Sequence, residues 1–153
     1  MRIITLIIAS FAVLHTAFSQ PASGQLRPNL GEKIGVCRPC GMDVFERMLT
    51  KVEIVMADSV FHTCGLGCAA AMTEGKSPSS TRVVDFSTLT MVNMESAWYV
   101  AGSIIAPVRA MMPVFAFANK KDAEAFAAAY GGHATEYGTM KLLVEKIRQE
   151  RKK

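Results

Sequence analysis

Two short segments carry the residue types that do chemistry, Cys37-Arg38-Pro39-Cys40-Gly41-Met42 and His62-Thr63-Cys64-Gly65-Leu66-Gly67-Cys68. Two cysteines separated by two residues and followed by glycine form a tight knuckle. Proline and glycine let the backbone turn sharply enough for both sulfurs to face one ion. Cys64 and Cys68 have helical spacing, which at a helix start puts both sulfurs on one face, and Met72 extends that face by a turn. A helix N-terminus also favours thiolate over thiol, the form that binds metal or attacks a disulfide. Three readings compete: a bound metal, two structural disulfides, and a redox-active pair. An even number of exported cysteines is by default a disulfide framework. Against that, the chain is 50% hydrophobic and needs no staples, and bridges within such closely spaced pairs close loops too small to constrain the unfolded chain much. A thioredoxin-like pair would sit between a strand and a helix, whereas a proline-containing stretch precedes Cys37. For a metal, four thiolates suit Zn(II), while thioethers add little to zinc and much to the soft ion Cu(I). The chain has 10 methionines and 1 tryptophan, so sulfur is its compositional anomaly, and Met42, Met72, Met111 and Met112 become candidate thioether donors.

The elements that must position these sulfurs fit one compact domain. Residues 1–19 read as a signal peptide: Arg2 is the charged start, an apolar run follows, and Ala17-Phe18-Ser19 is the cleavage site. The run is short of the roughly 20 residues a membrane-spanning helix needs. Residues 20–35, with Pro21, Gly24, Pro28 and Gly31, form a tether. Alternation at Val52, Ile54 and Met56 predicts a strand over 51–57, with a turn at Asp58-Ser59, a return strand from Val60, and an alanine-rich helix over 65–73. The same strand, strand, helix order recurs at 97–101, 113–118 and 120–130, with 83–86 as a further strand between the copies. The second helix is well punctuated: Asn119 caps it, Asp122 and Glu124 suit its positive end, and Gly131-Gly132 stops it. The expected fold is α+β, two strand-strand-helix units packed together over 36–140. An amphipathic helix with a Met140, Leu143, Val144, Ile147 stripe follows, and 141–153 forms the basic C-terminal helix and tail.

The formal charge of +4 is concentrated in that tail, which argues against a nucleic-acid partner and leaves a weak contact with a membrane surface as its electrostatic role. No serine, histidine and carboxylate set suggests hydrolysis, so no catalytic residue is expected. Met48, Met56, Met91 and Met94 read as core filler. His62 and His133 read as structural or surface residues, and Trp98 as core.

Taken in order, Cys40-Gly41-Met42, the hairpin ending in Phe61 and Cys64, Trp98-Tyr99-Val100-Ala101-Gly102-Ser103, Phe115-Ala116-Phe117-Ala118, and Asp122-Ala123-Glu124-Ala125-Phe126 leading to Gly131-Gly132 resemble the NosL family. The resemblance runs from Val36 to about Thr135. It implies an exported accessory protein of nitrous oxide reductase, a metallochaperone that binds Cu(I) in the periplasm and delivers it to a copper-receiving protein. That receiver would be nitrous oxide reductase, its assembly machinery or a similar copper enzyme. The family's ligand motif falls on Cys40 and Met42, and its further methionine falls next to Met111 and Met112. The spacing of Cys40, Cys64 and Cys68 also resembles the cysteine-based TRASH and YHS heavy-metal domains. The expected metal set is therefore Cys37, Cys40, Met42, Cys64, Cys68, Met111 and Met112. The alternative is a zinc- or disulfide-stabilised four-cysteine interaction module.

Overall fold

The computed structural model describes residues 35–105 and 114–150. The expected signal peptide, nearly all of the tether, Met111, Met112 and the last three residues of the tail lie outside them. A short 3-10 helix, Phe45–Thr50, leads into β1 (Val52–Met56), β2 (Ser59–Thr63), α1 (Leu66–Thr73), β3 (Ser80–Val84) and β4 (Met91–Asn93). There follow β5 (Trp98–Ala101), β6 (Val114–Phe117), α2 (Lys120–Tyr130), β7 (His133–Glu136) and α3 (Tyr137–Glu150). The fold is α+β, with two antiparallel sheets ordered β2-β1-β3-β4 and β6-β5-β7.

The two units share one plan. In each, the first strand lies in the middle, its hairpin partner flanks one side, and the strand after the helix flanks the other. The strand expected at 83–86 is present, begins and ends earlier, and belongs to the first unit. It runs from Ser80 to Val84 and pairs with β1 on the side away from β2, as β7 pairs with β5 on the side away from β6, and β4 then forms the edge of the first sheet. Neither β4 nor β7 has an apolar alternation, because β4 is three residues long and β7, His-Ala-Thr-Glu, lies at a sheet edge with no fully buried side chain.

Alternation in β1 buries Val52 and Ile54 in a core shared by both sheets. Ala69 of α1, Val83, Tyr99, Val114, Ala116, and Met140 and Val144 of α3 complete it. The opposite face of the second sheet packs Val100, Phe115 and Phe117 against Ala123 and Phe126 of α2. Phe126 meets Phe115 and Phe117 with ring centroids 5.4 and 5.2 Å apart, spacings that favour tilted aromatic pairs. Asn119 caps α2 by accepting from the Asp122 amide at 3.0 Å. The C-terminal helix begins at Tyr137, earlier than expected. Its seam is Met140 and Val144, while Leu143 is 37% exposed. Arg148 continues the seam with an ion pair to Glu74 at 2.7 Å.

The stop of α2 is sterically exact in its demands. Gly132 has φ +91°, and a Cβ there would lie 2.5 Å from the Ala101 carbonyl oxygen and 2.9 Å from the Ser103 nitrogen. Both obstacles are backbone and cannot swing aside. Gly132→Ala is expected to cost about 2–4 kcal/mol, through strain at positive φ and displacement of β7 from β5. Urea unfolding checks it, and a midpoint equal to wild type would disprove it.

Candidate metal centre

The register of the first hairpin brings the two cysteine segments together. Val52, the first residue of β1, pairs with Thr63, the last of β2. The chain entering β1 and the chain leaving β2 are therefore at the same end of the sheet. The cysteine knuckle arrives there through the 3-10 helix, and Cys64 departs there. Thr50 ties the two by donating its hydroxyl to the Cys64 carbonyl at 2.8 Å.

The knuckle is closed by its own backbone. The Cys37 amide donates to the Met42 carbonyl at 2.8 Å, and the Cys37 carbonyl accepts from Cys40 and Gly41 at 3.2 and 2.7 Å. Gly41 takes φ +72° in this turn, a conformation glycine adopts without a Cβ penalty. Arg38 lies 5.0 Å above the Phe61 ring and fastens the knuckle to β2. On the other side, Cys64 precedes the helix rather than opening it. Gly65 is the N-cap, and Cys68 sits in the first turn of α1.

All four cysteines are free, and their Sγ atoms lie within 4.8 Å of one another. Cys40 and Cys64 are 3.4 Å apart, and Cys64 and Cys68 are 3.6 Å apart. With metal–sulfur bonds near 2.3 Å, a tetrahedral set has edges of about 3.8 Å and a linear pair spans about 4.6 Å. The cluster covers both, so four, three or two sulfurs can reach one ion with little rearrangement. Exposure is graded: Cys37 is 0% exposed, Cys64 and Cys68 are half-buried, and Cys40 is open to solvent.

The thiols differ in acidity. Hydrogen bonding from Cys68 chiefly, then from Cys40 and Cys37, lowers Cys64 from the usual 9.0 to about 5 against the opposing effect of burial, with the Arg47 charge assisting. Burial chiefly pushes Cys37 up to about 11. Cys68 is also raised, first because its hydrogen bond is committed to Cys64 and then by burial. Near neutral pH the thiol cluster thus carries its negative charge on Cys64. Limited iodoacetamide should alkylate Cys64 ahead of both Cys37 and Cys68, as read by peptide mass mapping, because the thiolate is the nucleophile and Cys37 is in addition closed to solvent. Labelling of Cys37 ahead of Cys64 would contradict this ordering. Since the folded value of Cys64 lies below 9.0, its contribution to stability is full above that pH and is lost as pH falls through about 5.

The remaining expected donors fare differently. Met42 is half-buried in the knuckle, and its Sδ accepts from Arg47 Nη2 at 3.7 Å. Met72 packs against the core. Met111 and Met112 lie outside the described residues. His62 pairs with Glu53 at 3.5 Å, and His133 is exposed at the start of β7. Arg47 was not marked by any spacing in the sequence. It is 6% exposed inside the 3-10 helix and supplies a positive charge beside the thiols. Its only signal is position, as the one cation in the Phe45-Glu46-Arg47-Met48-Leu49 stretch between the two cysteine segments.

Two sheets with a four-thiol cluster able to hold a metal ion at one end define the class: a small sulfur-rich domain built from paired ββαβ units. The sequence model of the NosL family matches residues 32–142, and the chain belongs to that family. Among solved structures it is similar to the copper chaperone NosL from Shewanella denitrificans, with a TM-score of 0.60 and 24% identity over 70% of this chain and 90% of that one. That likeness shows the fold. A comparison with curated proteins gives no match.

Proposed function

We propose that this protein is an exported Cu(I) carrier that hands its ion to a copper-receiving protein, in the manner that membership of the NosL family suggests. The single observation behind this reading is the graded four-thiol cluster. Four free sulfurs within 4.8 Å are a soft donor set suited to Cu(I), and one member, Cys40, faces solvent. The listening side of such a site is its exposed rim. Copper held on the side of the fully buried Cys37 stays shielded from water, and a sulfur or imidazole of the receiver approaches past Cys40. The incoming ligand bonds before the last original one leaves, so the ion is never free. The ligands assigned are Cys37, Cys40, Cys64 and Cys68, with Met42 joining if its thioether leaves Arg47, and Met111 or Met112 as further donors. The receiver is assigned as nitrous oxide reductase, its assembly machinery or a similar copper enzyme, and the 1–19 segment directs export to the periplasm. The basic tail adds weak attraction to an acidic surface.

Associative handover has a kinetic signature. Copper-loaded protein mixed with a copper-free acceptor should transfer its ion at a rate that rises with acceptor concentration and exceeds dissociation into buffer. A rate independent of acceptor would mean that the ion merely leaks, and the carrier reading would fail. A second reading, a Zn(II)-stabilised interaction module, is favoured by sulfur separations close to a tetrahedral edge, such as 3.6 Å between Cys64 and Cys68.

A further inference from the structure

A carrier of one Cu(I) ion needs two or three sulfurs, and this cluster has four. We infer that the surplus is a built-in reductant: the outer pair, Cys40 and Cys64, reduces Cu(II) to Cu(I) and closes as a disulfide, while the inner pair, Cys37 and Cys68, keeps one reduced ion. The inference rests on reading the cluster as a copper site and extends the cargo it accepts to the oxidised ion.

Geometry separates the two pairs. Cys40 ends the knuckle turn and Cys64 lies in the bend between β2 and α1, so neither belongs to a helix or strand. Their sulfurs are 3.4 Å apart, and closing to a bond of about 2.05 Å requires a shift that two turns can share. Cys40 is open to solvent, where Cu(II) arrives, and Cys64 is half-buried like Cys68, so what sets Cys64 apart from Cys68 is its place in a bend rather than in a helix. Cys37 is fully buried, with its amide and carbonyl held by the knuckle's hydrogen bonds. Cys68 is fixed in the first turn of α1, whose Ala69 amide donates to the Gly65 carbonyl at 3.0 Å. The four sulfurs lie within 4.8 Å of one another, so Cys37 and Cys68 remain close enough for a two-coordinate ion spanning about 4.6 Å.

The step balances. Two Cu(II) ions each take one electron, the two Sγ atoms give up those two electrons as the S–S bond forms, and any protons they carry pass to water. One Cu(I) stays between Cys37 and Cys68, and the second leaves. Soft thiolates favour Cu(I) over Cu(II), which drives the step forward. Each reduced chain performs it once, so a thiol donor must reopen the disulfide before another round.

The test uses the reduced mature protein under anaerobic conditions with a Cu(II) salt and a chromogenic Cu(I) chelator, and in parallel with Cu(I) supplied directly. Expected are about two Cu(I) formed per chain, loss of two of the four thiols, and a single linked peptide joining Cys40 to Cys64. Cys40→Ser should slow the reduction at least about tenfold, since the outer disulfide can no longer form. If Cu(I) binds but Cu(II) stays unreduced, or if the linked peptide joins Cys64 to Cys68 or is scrambled, the inference is wrong and the copper site stands. If Cu(I) itself does not bind, the copper reading fails and takes this inference with it.

Discussion

Replacing any one of the four cysteines by serine is expected to lower Zn(II) affinity by about 10²–10³-fold while lowering Cu(I) affinity by about tenfold or less. A structural zinc site releases about 10–16 kcal/mol on binding, so each of four thiolates accounts for about 3–4 kcal/mol, or two to three decades in affinity. Zinc has no alternative here, because a closed tetrahedral site needs all four sulfurs. Cu(I) is satisfied by fewer, and sulfurs lying within 4.8 Å of one another leave a three-sulfur set ready made. Competition titrations with chromogenic chelators measure both ions on each variant. Cys40→Ser is the cleanest choice, because Cys40 is exposed and its loss opens no hole in the core. Cys37→Ser adds a packing and desolvation cost to the loss of a ligand, since that side chain is fully buried. Equal losses for the two metals at Cys40 would mean that copper also uses a closed four-sulfur site. Such a site obstructs an incoming ligand, and the handover mechanism would go with it.

Met42→Leu bears on the same point from the thioether side. Arg47 Nη2 donates to Met42 Sδ at 3.7 Å, a weak hydrogen bond. A thioether that joins the copper must leave that contact, which costs little. The same movement leaves the Arg47 charge beside an anionic thiolate–copper unit.

The chemistry was legible in the sequence because it resides in residue types: two cysteine pairs and the glycine and proline that fold the first into a knuckle. Helix α2 was equally legible, with Asn119 and Gly131-Gly132 marking both ends where the structure has them. What joined the cysteine pairs was not legible. It depends on Val52 pairing with Thr63, a register set by turn length and by burial of one strand face. The helix-face argument that placed Cys64, Cys68 and Met72 together was right only in part. Cys64 lies outside the helix, and its sulfur still comes within 3.6 Å of Cys68. Met72, one turn further on, belongs to the helix body over the core. Arg47 shows the opposite failure: burial beside thiols makes it important, and burial is a tertiary property.

Asp85→Ala is expected to destabilise the fold by about 3–5 kcal/mol, a large part of the stability of a domain this size. Asp85 is 1% exposed and lies where the chain leaves β3. Its Oδ1 accepts from the Ala118 amide at 3.1 Å and from the Ser87 amide at 3.3 Å, and its Oδ2 accepts from the Thr88 hydroxyl at 2.6 Å. The Ala118 contact crosses from the first sheet to the junction of β6 and α2 in the second. It is reinforced by the parallel bridge between Asp85 and Ala116 and by the Phe86 amide donating to the Ala116 carbonyl at 2.8 Å. Alanine leaves donors on both sides without their acceptor, and a buried amide without a partner costs about 1–3 kcal/mol by itself. Asp85→Asn keeps one carbonyl oxygen for the two amides, and the Thr88 hydroxyl can turn to accept from the new amide group, so about 1–2 kcal/mol is expected. Urea unfolding should show both midpoints lowered, alanine more than asparagine, with an unchanged slope for a single cooperative unit. A shallower slope or two separate transitions for Asp85→Ala would mean that this carboxylate couples the two sheets. A midpoint within about 1 kcal/mol of wild type would mean that the shared core of Val83, Tyr99, Val114 and Met140 holds the sheets together without it.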